Sequence, residues 1–269
     1  MKLDSENILD VAYFKDWNNS INELEDLAAP ENWKFSTINP TYRNNNNPIL
    51  ENYVKHTFKR LANEYNNAID RGDDGNNIIL LTDNKLVFNT GLFTKNYARI
   101  YGIMIKNKYE SSTKKYYFVG FVDESSGHFD SIPTLPRRAK YFSDITDLIF
   151  NNDLPLRVNT YHILEDQENR NRIPEKYRNS KNLITLFTGA VDLAQKIVDS
   201  NYKAAVPQFY NGKISFLLPI CLDDPEVADL SLSVIKSENC YIGVTCLTLD
   251  MAYNNARLIS KPDCEWLKL

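Results

Sequence analysis

The sequence predicts an α+β protein in which a helix followed by two β-hairpins occurs twice, after an N-terminal helical extension. Two long segments, which begin near Ile49 and Asn182, repeat apolar residues at every third or fourth position, as an amphipathic helix does. Each segment precedes short apolar runs separated by turn residues, and such runs indicate hairpins. The two sets of runs also align with each other. We therefore expect two antiparallel sheets. If the two sets arose by duplication, a pseudo-twofold axis would relate the sheets, and a ligand crevice between them would be the natural site.

The N-terminal extension holds one predicted helix. Ser20 and Glu23 have the spacing of a capping box, and an apolar face that begins at Ile21 continues until Pro30 ends the helix. The asparagine-rich stretch at 44–47 then predicts a loop.

The first lobe of what we expect to be a single two-lobed domain lies at about residues 48–132. Its helix runs for about five turns from Ile49 and is closed by Gly72, a residue type that readily ends helices. Asp83 and Asn84 mark the turn of a first hairpin. The strands of the two hairpins are predicted at 78–81 with 86–88 and at 100–105 with 116–122.

The second lobe is expected at about residues 182–269. Asn182 caps or precedes a helix with the cleanest apolar periodicity in the chain. Asn211 and Gly212 form a type I′ turn signal in the first hairpin that follows. The strands are predicted at 206–210 with 214–221 and at 230–235 with 241–247, and a short helix is predicted at 251–259.

The two lobes share more than the order of their elements. Residues 86–106 align without a gap on residues 216–236, and Gly120 and Gly243 follow at similar places in the last strand of each lobe. An ancient duplication and a coincidence between generic strands are both open interpretations. The identical pairs are Leu92 and Leu222, Ala98 and Ala228, Ile105 and Ile235, and Lys106 and Lys236.

Composition and charge exclude several classes of protein. The formal charge of -4 at pH 7 argues against a surface that binds nucleic acid indiscriminately, so an anionic partner must meet a local basic patch. No apolar run is long enough for a membrane span, and the start MKLDSENILD lacks a signal-peptide pattern, so we expect a cytoplasmic protein without a membrane partner. The four cysteines have spacings that fit no zinc site, so we expect reduced core thiols, no metal and no cofactor.

The segment at 133–181, which joins the two lobes, carries the local positive charge. Its arginines, among them Arg137, Arg138, Arg170 and Arg172, alternate with aromatic residues. Such alternation is what a surface that binds phosphates and bases needs. A solvated loop whose charges face water is the commoner alternative.

Three further candidate residues lie at strand edges. Asn89 and Thr90 precede Gly91, which would allow close approach of a ligand, although a β-bulge is the simpler explanation. Lys203 lies where the second long helix gives way to a strand. Its ammonium group either points toward a phosphate or pairs with the helix C-terminus.

The stretch at 248–266 concentrates polar residues behind an apolar strand. Buried polar groups need partners, so this stretch either contacts a ligand or forms an internal network that fixes the fold. Asp250 is placed to cap the predicted helix, which weakens its case as a catalytic acid. The candidate ligand contacts are Tyr253, Asn254, Asn255 and Arg257.

No catalytic signature occurs in the chain. Of the three histidines, His162 is the best placed for acid or base chemistry, because two acidic residues follow it closely, although a loop hydrogen bond is the commoner role. A phosphoester- or nucleotidyl-processing enzyme would use His162 or Asp250 as the base. Arg257 and Lys203 would then stabilise the developing charge.

Four strings carry a resemblance that covers nearly the whole chain. They are FNTGL at 88–92, NYKAAVPQFY at 201–210, LLPICL at 217–222 and LTLDMAYNNARLISKPDCEWL at 247–267. The chain resembles an uncharacterised bacterial family, a domain of unknown function that is sometimes joined to cold-shock or helix-turn-helix RNA-binding modules. The resemblance implies an RNA or nucleotide context and no established activity.

These observations favour a domain that binds nucleic acid, RNA in particular, or a nucleotide, in RNA metabolism or defence. In this hypothesis the arginines and Lys203 contact phosphates, and Asn254 and Asn255 recognise a base or ribose. An enzyme acting on phosphoesters is one alternative, and a protein-interaction module is another.

Overall fold

Residues 2–34, 46–109 and 112–267 are described by a computed structural model, in which the chain forms two units, Met1–Lys140 (unit 1) and Tyr141–Leu269 (unit 2). Each unit contains one five-stranded sheet with its own helices, called sheet 1 in unit 1 and sheet 2 in unit 2. The predicted α+β class and the repeat-like arrangement are therefore confirmed. The basic segment is divided, because residues 133–140 belong to unit 1 and residues 141–181 to unit 2. The predicted loop at 44–47 lies partly outside the described residues.

Unit 1 is a meander of four antiparallel strands with a fifth strand added in parallel. Its helices are α1 (Ile8–Val11), α2 (Trp17–Leu27) and α3 (Pro48–Asp70). Its strands are β1 (Ala12–Tyr13), β2 (Ile79–Leu81), β3 (Lys85–Phe93), β4 (Arg99–Lys106) and β5 (Tyr116–Asp123). They lie in the order β1-β5-β4-β3-β2, and both predicted hairpins are confirmed.

The long helix of unit 1 forms where the sequence predicts it. Pro48 occupies the first turn, where its missing N–H costs nothing, and Gly72 follows the helix with a φ of 84°. The apolar stripe of α3 packs on the sheet, with the Phe58 and Phe88 rings edge to face at 5.1 Å. We call the face of each sheet that its long helix covers the inner face, and the opposite face the outer face.

Two predictions for the N-terminal region need correction. Asp16 is the N-cap of α2 and accepts a hydrogen bond from the Asn19 N–H at 3.0 Å, so the capping box at Ser20 and Glu23 is wrong. Ser20 lies inside the helix, and its hydroxyl donates to the Asp16 carbonyl at 2.9 Å. The extension also contributes strand β1 to the sheet, paired with β5, and so is not only helical.

Unit 2 repeats the plan of unit 1. Its helices are α4 (Thr160–Glu165), α5 (Gln167–Arg172), α6 (Glu175–Arg178), α7 (Leu183–Ser200) and α8 (Leu249–Arg257). Its strands are β6 (Leu156–Val158), β7 (Val206–Tyr210), β8 (Lys213–Ile220), β9 (Leu230–Lys236) and β10 (Tyr241–Leu247). They lie in the order β6-β10-β9-β8-β7, with β6 parallel to β10, which is the order found in unit 1.

The helix and hairpins of unit 2 follow the predicted pattern. Phe187 and Ala194 on α7 belong to the core on the inner face of sheet 2, together with Phe216 and Leu218. The β7–β8 turn is left-handed at both central residues, with φ of 49° at Asn211 and 80° at Gly212, as a type I′ turn requires.

Strand register in the two sheets agrees residue by residue. The predicted alignment places Leu86 on Phe216 and Met104 on Val234, and the structure pairs Leu86 with Met104 and Phe216 with Val234. Matching registers require matching side-chain faces, because a slip of one residue would exchange the two faces of a strand. The two sheets therefore place aligned residues in equivalent positions.

Both sheets carry a bulge at the same place in the last strand. It falls at Val119 in β5 and at Val244 in β10, where the ladder skips one residue. Counting from these bulges, Gly120 is equivalent to Thr245 and not to Gly243. The predicted equivalence of the two glycines is therefore wrong by two positions along the strand, because each has a different place relative to the bulge.

Helix α8 covers part of the outer face of sheet 2. Thr248 is its N-cap and accepts from the Met251 N–H at 3.4 Å, whereas Asp250 is buried within the first turn, so the predicted capping role of Asp250 is wrong. The helix contacts the sheet through Asn255, whose amide donates to the Gln208 side chain at 3.0 Å. None of the described helices is long and apolar enough to cross a membrane.

Candidate functional site

A pocket of about 850 Å³ opens on the outer face of sheet 1. Strands β3 and β4 form its floor through Asn89, Phe93, Arg99 and Tyr101, and the segment at 124–138 forms its wall. Its volume lies within the range of about 300–1,000 Å³ that is usual for small-molecule sites. Three residues singled out from the sequence, Asn89, Arg137 and Arg138, line it.

Asn89 holds the wall of the pocket to its floor. The side chain is buried, its amide donates to the Pro136 carbonyl at 3.1 Å, and its oxygen accepts from the Gly91 N–H at 2.8 Å. Because these bonds occupy the amide and its oxygen, Asn89 positions the segment around Pro136. It is better described as a support of the site than as a contact for a ligand.

Thr90 faces away from the pocket. Its hydroxyl donates to the Ile100 carbonyl at 2.8 Å and accepts from the Leu92 N–H at 3.1 Å. The β3–β4 register shifts between Asn89 and Phe93, and Gly91 has a φ of 76° there. The interpretation of Gly91 as a bulge residue is therefore confirmed.

Two of the three arginines around the pocket pair with carboxylates, and Arg137 shares its carboxylate with Arg60. Arg137 donates to the Glu64 carboxylate at 2.8 Å, and Arg99 donates to Glu124 at 3.1 Å. Glu124 also accepts from the Arg99 backbone N–H at 3.0 Å, and this bond holds the pKa of the Glu124 carboxyl below its usual value. The carboxylate therefore stays charged beside Arg99.

Arg138 is exposed, and no ion pair to it occurs among the described residues. It is therefore the arginine of this pocket that has no carboxylate beside it in that part of the chain. A guanidinium of this kind can donate two parallel hydrogen bonds to one phosphate or carboxylate. The pocket can thus bind an anionic group at Arg138.

Aromatic rings supply apolar surface beside this charge. Phe93 is 36% exposed, and Tyr101 packs edge to face on Phe129 at 5.4 Å. Burial raises the pKa of the Tyr101 phenol, so the ring stays neutral at physiological pH. A flat ligand ring could stack on Phe93 while Arg138 contacts a phosphate.

Phe93, Arg99 and Tyr101 were not among the candidates predicted from the sequence. A signal for the first two is present in the string FTKNYAR at 93–99, in which aromatic and cationic residues alternate shortly after the candidate pair Asn89 and Thr90.

The two candidate arginines of the unit 2 segment differ, and only Arg172 has a structural role among the described residues. Arg172 donates to the Asn169 side chain at 3.1 Å, to the Thr245 hydroxyl at 3.1 Å and to the Cys246 carbonyl at 2.9 Å. These bonds tie α5 to β10. Arg170 is exposed, and its side chain donates a long bond of 3.4 Å to the Arg178 carbonyl. Lys203 is exposed in the turn that leads into β7.

The residues of α8 form part of a polar layer on sheet 2. The Asn255 amide donates to Gln208, whose own amide donates to the Ser233 hydroxyl at 2.7 Å. Tyr253 is buried, Arg257 is half-buried, and both are engaged in interactions. The side-chain oxygen of Asn254 is buried without a hydrogen-bond partner in the described part of the chain. This layer matches the alternative of an internal network that fixes the fold.

The two weak catalytic candidates lie on opposite sides of sheet 2. His162 is exposed on α4, whose Ile163 and Leu164 pack into the core on the inner face. Asp250 is buried on α8, which lies on the outer face. The sheet between them prevents the two side chains from acting on one substrate atom. No group of His, Cys, Asp and Glu in the described ranges could hold a metal ion.

Comparison with known proteins places the chain in a family without a described activity. No curated protein and no solved structure matches it. A family model described as a domain of unknown function, DUF3825, matches residues 24–266, which is most of the chain. The protein therefore belongs to the DUF3825 family.

Proposed function

We propose that the protein binds a nucleotide or a nucleic acid, RNA in particular, in the pocket on the outer face of sheet 1. The observation that carries the proposal is that Phe93 and Arg138 line the same pocket. Phe93 offers an exposed aromatic ring, and Arg138 offers a guanidinium without an acidic partner among the described residues. Proteins that bind single-stranded nucleic acid combine the same two elements, because every base has a face that stacks and every link carries a phosphate.

The rest of the pocket supports this assignment. Arg99 and Glu124 form a neutral pair that donors and acceptors of a base or ribose could contact. Asn89 fixes the segment around Pro136, so the pocket is formed before a ligand arrives. The resemblance of the chain to a family sometimes joined to RNA-binding modules favours the same class of ligand.

A binding assay with a matched control tests the proposal. Fluorescence anisotropy with labelled hexauridylate and hexaadenylate at low salt should give saturable binding. Arg138→Ala should weaken binding about tenfold, because one phosphate contact is lost. It should also reduce the slope of log affinity against log salt concentration by about one. Arg71→Ala should leave binding unchanged, because Arg71 is exposed at the end of α3 and does not line the pocket.

A thermal-shift screen extends the test to small ligands. A ligand at a hundred times its dissociation constant stabilises the folded state by about 2.7 kcal/mol. Absence of a shift with RNA and with every nucleotide, together with equal behaviour of Arg138→Ala and Arg71→Ala, would rule out this function.

A further inference from the structure

Tyr97 is an exposed aromatic residue held in an unfavourable backbone conformation. Its side chain is 84% exposed, and its φ is 61°, in the left-handed region. That conformation costs roughly 1–2 kcal/mol for a residue with a Cβ, and burial of the ring does not offset it here. A strained and exposed aromatic residue is a candidate for binding.

The turn that carries Tyr97 is closed by four hydrogen bonds. The Thr94 N–H donates to the Ala98 carbonyl at 2.9 Å, and the Tyr97 N–H donates to the Thr94 carbonyl at 3.0 Å. The Thr94 hydroxyl accepts from the backbone N–H groups of Asn96 at 3.3 Å and Ala98 at 3.2 Å. Three-residue hairpin loops of this form place their last residue in the left-handed region, where glycine is preferred. The chain has a tyrosine there.

This turn borders the proposed ligand pocket. It joins Phe93 to Arg99, which pair across the β3–β4 hairpin and both line the pocket. Tyr97 is two residues from Arg99, and two residues of extended chain span at most about 7 Å. Tyr97 therefore lies beside the pocket, and its side chain does not line the pocket.

We propose that Tyr97 is a second base-stacking position, so that the ligand is single-stranded RNA of at least two nucleotides. The inference rests on the proposed function of the pocket. One base occupies the pocket beside Phe93, the next stacks on Tyr97, and the phosphate between them meets Arg138. A guanidinium without an acidic partner among the described residues, such as Arg138, can pair with that phosphodiester group.

Substitution of Tyr97 by glycine separates binding from stability. Tyr97→Gly removes the ring and relieves the left-handed strain, so it should raise the melting temperature by about 2–4 °C. It should also weaken hexauridylate binding about tenfold, the effect of losing one stacked base. Uridine monophosphate should bind the wild type and Tyr97→Gly equally. Tyr97→Phe should keep most of the oligonucleotide affinity.

Tyr109→Ala is the matched control. Tyr109 is 77% exposed in the turn between β4 and β5, at the opposite end of β4 from Arg99. Its loss should leave binding unchanged. If Tyr97→Gly binds hexauridylate as tightly as the wild type while Arg138→Ala binds it weakly, the second stacking position is wrong and the pocket assignment stands. A lower melting temperature for both Tyr97→Gly and Tyr97→Ala would also overturn it, since the ring would then be structural.

Discussion

The loops that join β3 to β4 in unit 1 and β8 to β9 in unit 2 share two turn hydrogen bonds but have opposite chemistry. The Tyr97 N–H donates to Thr94 at 3.0 Å, and the equivalent Val227 N–H donates to Asp224 at 3.1 Å. In each loop the side chain of the accepting residue, Thr94 or Asp224, also accepts a backbone N–H, from Asn96 and Glu226 respectively. Unit 1 has the sequence FTKNYAR at 93–99, whereas unit 2 has DDPEVAD at 223–229.

The difference shows that one backbone plan carries different side-chain chemistry in the two units. The unit 2 loop has four acidic residues and no cation, so it would repel a phosphate. Of the non-glycine residues that the structure describes, only Tyr97 and Asn211 have positive φ, so Val227 is not strained as Tyr97 is. The shared hydrogen bonds accompany the shared register of the sheets. The proposed binding chemistry of unit 1 depends on other side chains, which these hydrogen bonds do not need.

The outer faces differ in the same way. Asn89 and Tyr101 line the pocket in unit 1, and their equivalents in unit 2 are Pro219 and Ser231. Ser231 is fully buried, and its hydroxyl has no hydrogen-bond partner among the described residues. Helix α8 lies on this face of unit 2, so a polar layer occupies the position that is open in unit 1.

The largest expected effect comes from exchanging a buried pair between the units. Phe88 faces Gly102 in unit 1, where Leu218 faces Leu232 in unit 2. A Cβ on Gly102 would lie 2.3 Å from the Phe88 ring. Gly102→Leu should therefore lower the free energy of unfolding by about 3 kcal/mol, measured by urea denaturation.

The double variant Phe88→Leu with Gly102→Leu is the control for that exchange. It should recover most of the lost stability, because it reproduces the unit 2 pair. Equal stability of the single and the double variant would mean that the two sheets are not interchangeable at this position.

A charge exchange at the loop tests the functional side of the comparison. Arg99→Asp, the residue of unit 2, places a carboxylate beside Glu124 at the pocket. Hexauridylate affinity should fall about a hundredfold at low salt, because a cation is lost and an anion is gained. Glu226→Arg in unit 2 should change it less than twofold. A rise in affinity with Glu226→Arg as large as the fall with Arg99→Asp would show that net charge alone governs binding.

Two arginines should differ in their contribution to stability. Arg172→Ala should lower the free energy of unfolding by about 2 kcal/mol, because the Cys246 carbonyl and the Asn169 side chain lose a charged donor. Arg138→Ala should change it by less than about 0.5 kcal/mol, since Arg138 is exposed. Urea titrations of both variants measure the contrast, and a reversed order would contradict the assigned roles.

The smallest effect concerns thiol reactivity, which reports on unit 2 alone because all four cysteines lie there. Burial raises the pKa of the Cys246 thiol to about 11, so little thiolate forms at pH 8. Cys221 and Cys240 are buried as well, and Cys264 is half-buried. A disulfide reagent should label Cys264 first in the native protein, and mass spectrometry identifies the labelled residue. Fast labelling of Cys246 would mean that unit 2 opens readily.

Elements with a local signal could be predicted from the sequence. Helices α3 and α7 have long apolar stripes, and the β7–β8 hairpin has an Asn-Gly turn, so both features are encoded within short windows. Strands β1 and β6 have no such signal, because each is at most three residues long and pairs with a strand far away in sequence.

The candidate site was predictable only in part for the same reason. Asn89 and Arg138 carry a visible chemical type, but the bond from Asn89 to Pro136 and the pairing of Arg137 with Glu64 join distant parts of the chain. No pattern in a window of sequence encodes which arginine meets a carboxylate. The structure therefore decides which of the predicted cations are still available to a ligand.

The parallel strands β1 and β6 also fix the order of assembly during synthesis. Ala12 can complete sheet 1 only after Tyr116, its partner on β5, has left the ribosome. Leu156 waits for Tyr241 in the same way. Pairings this distant form late, because the chain must first lose the entropy of closing a long loop. We therefore expect the four antiparallel strands of each unit to pair before its first strand does. All strands of unit 1 precede unit 2 in the chain.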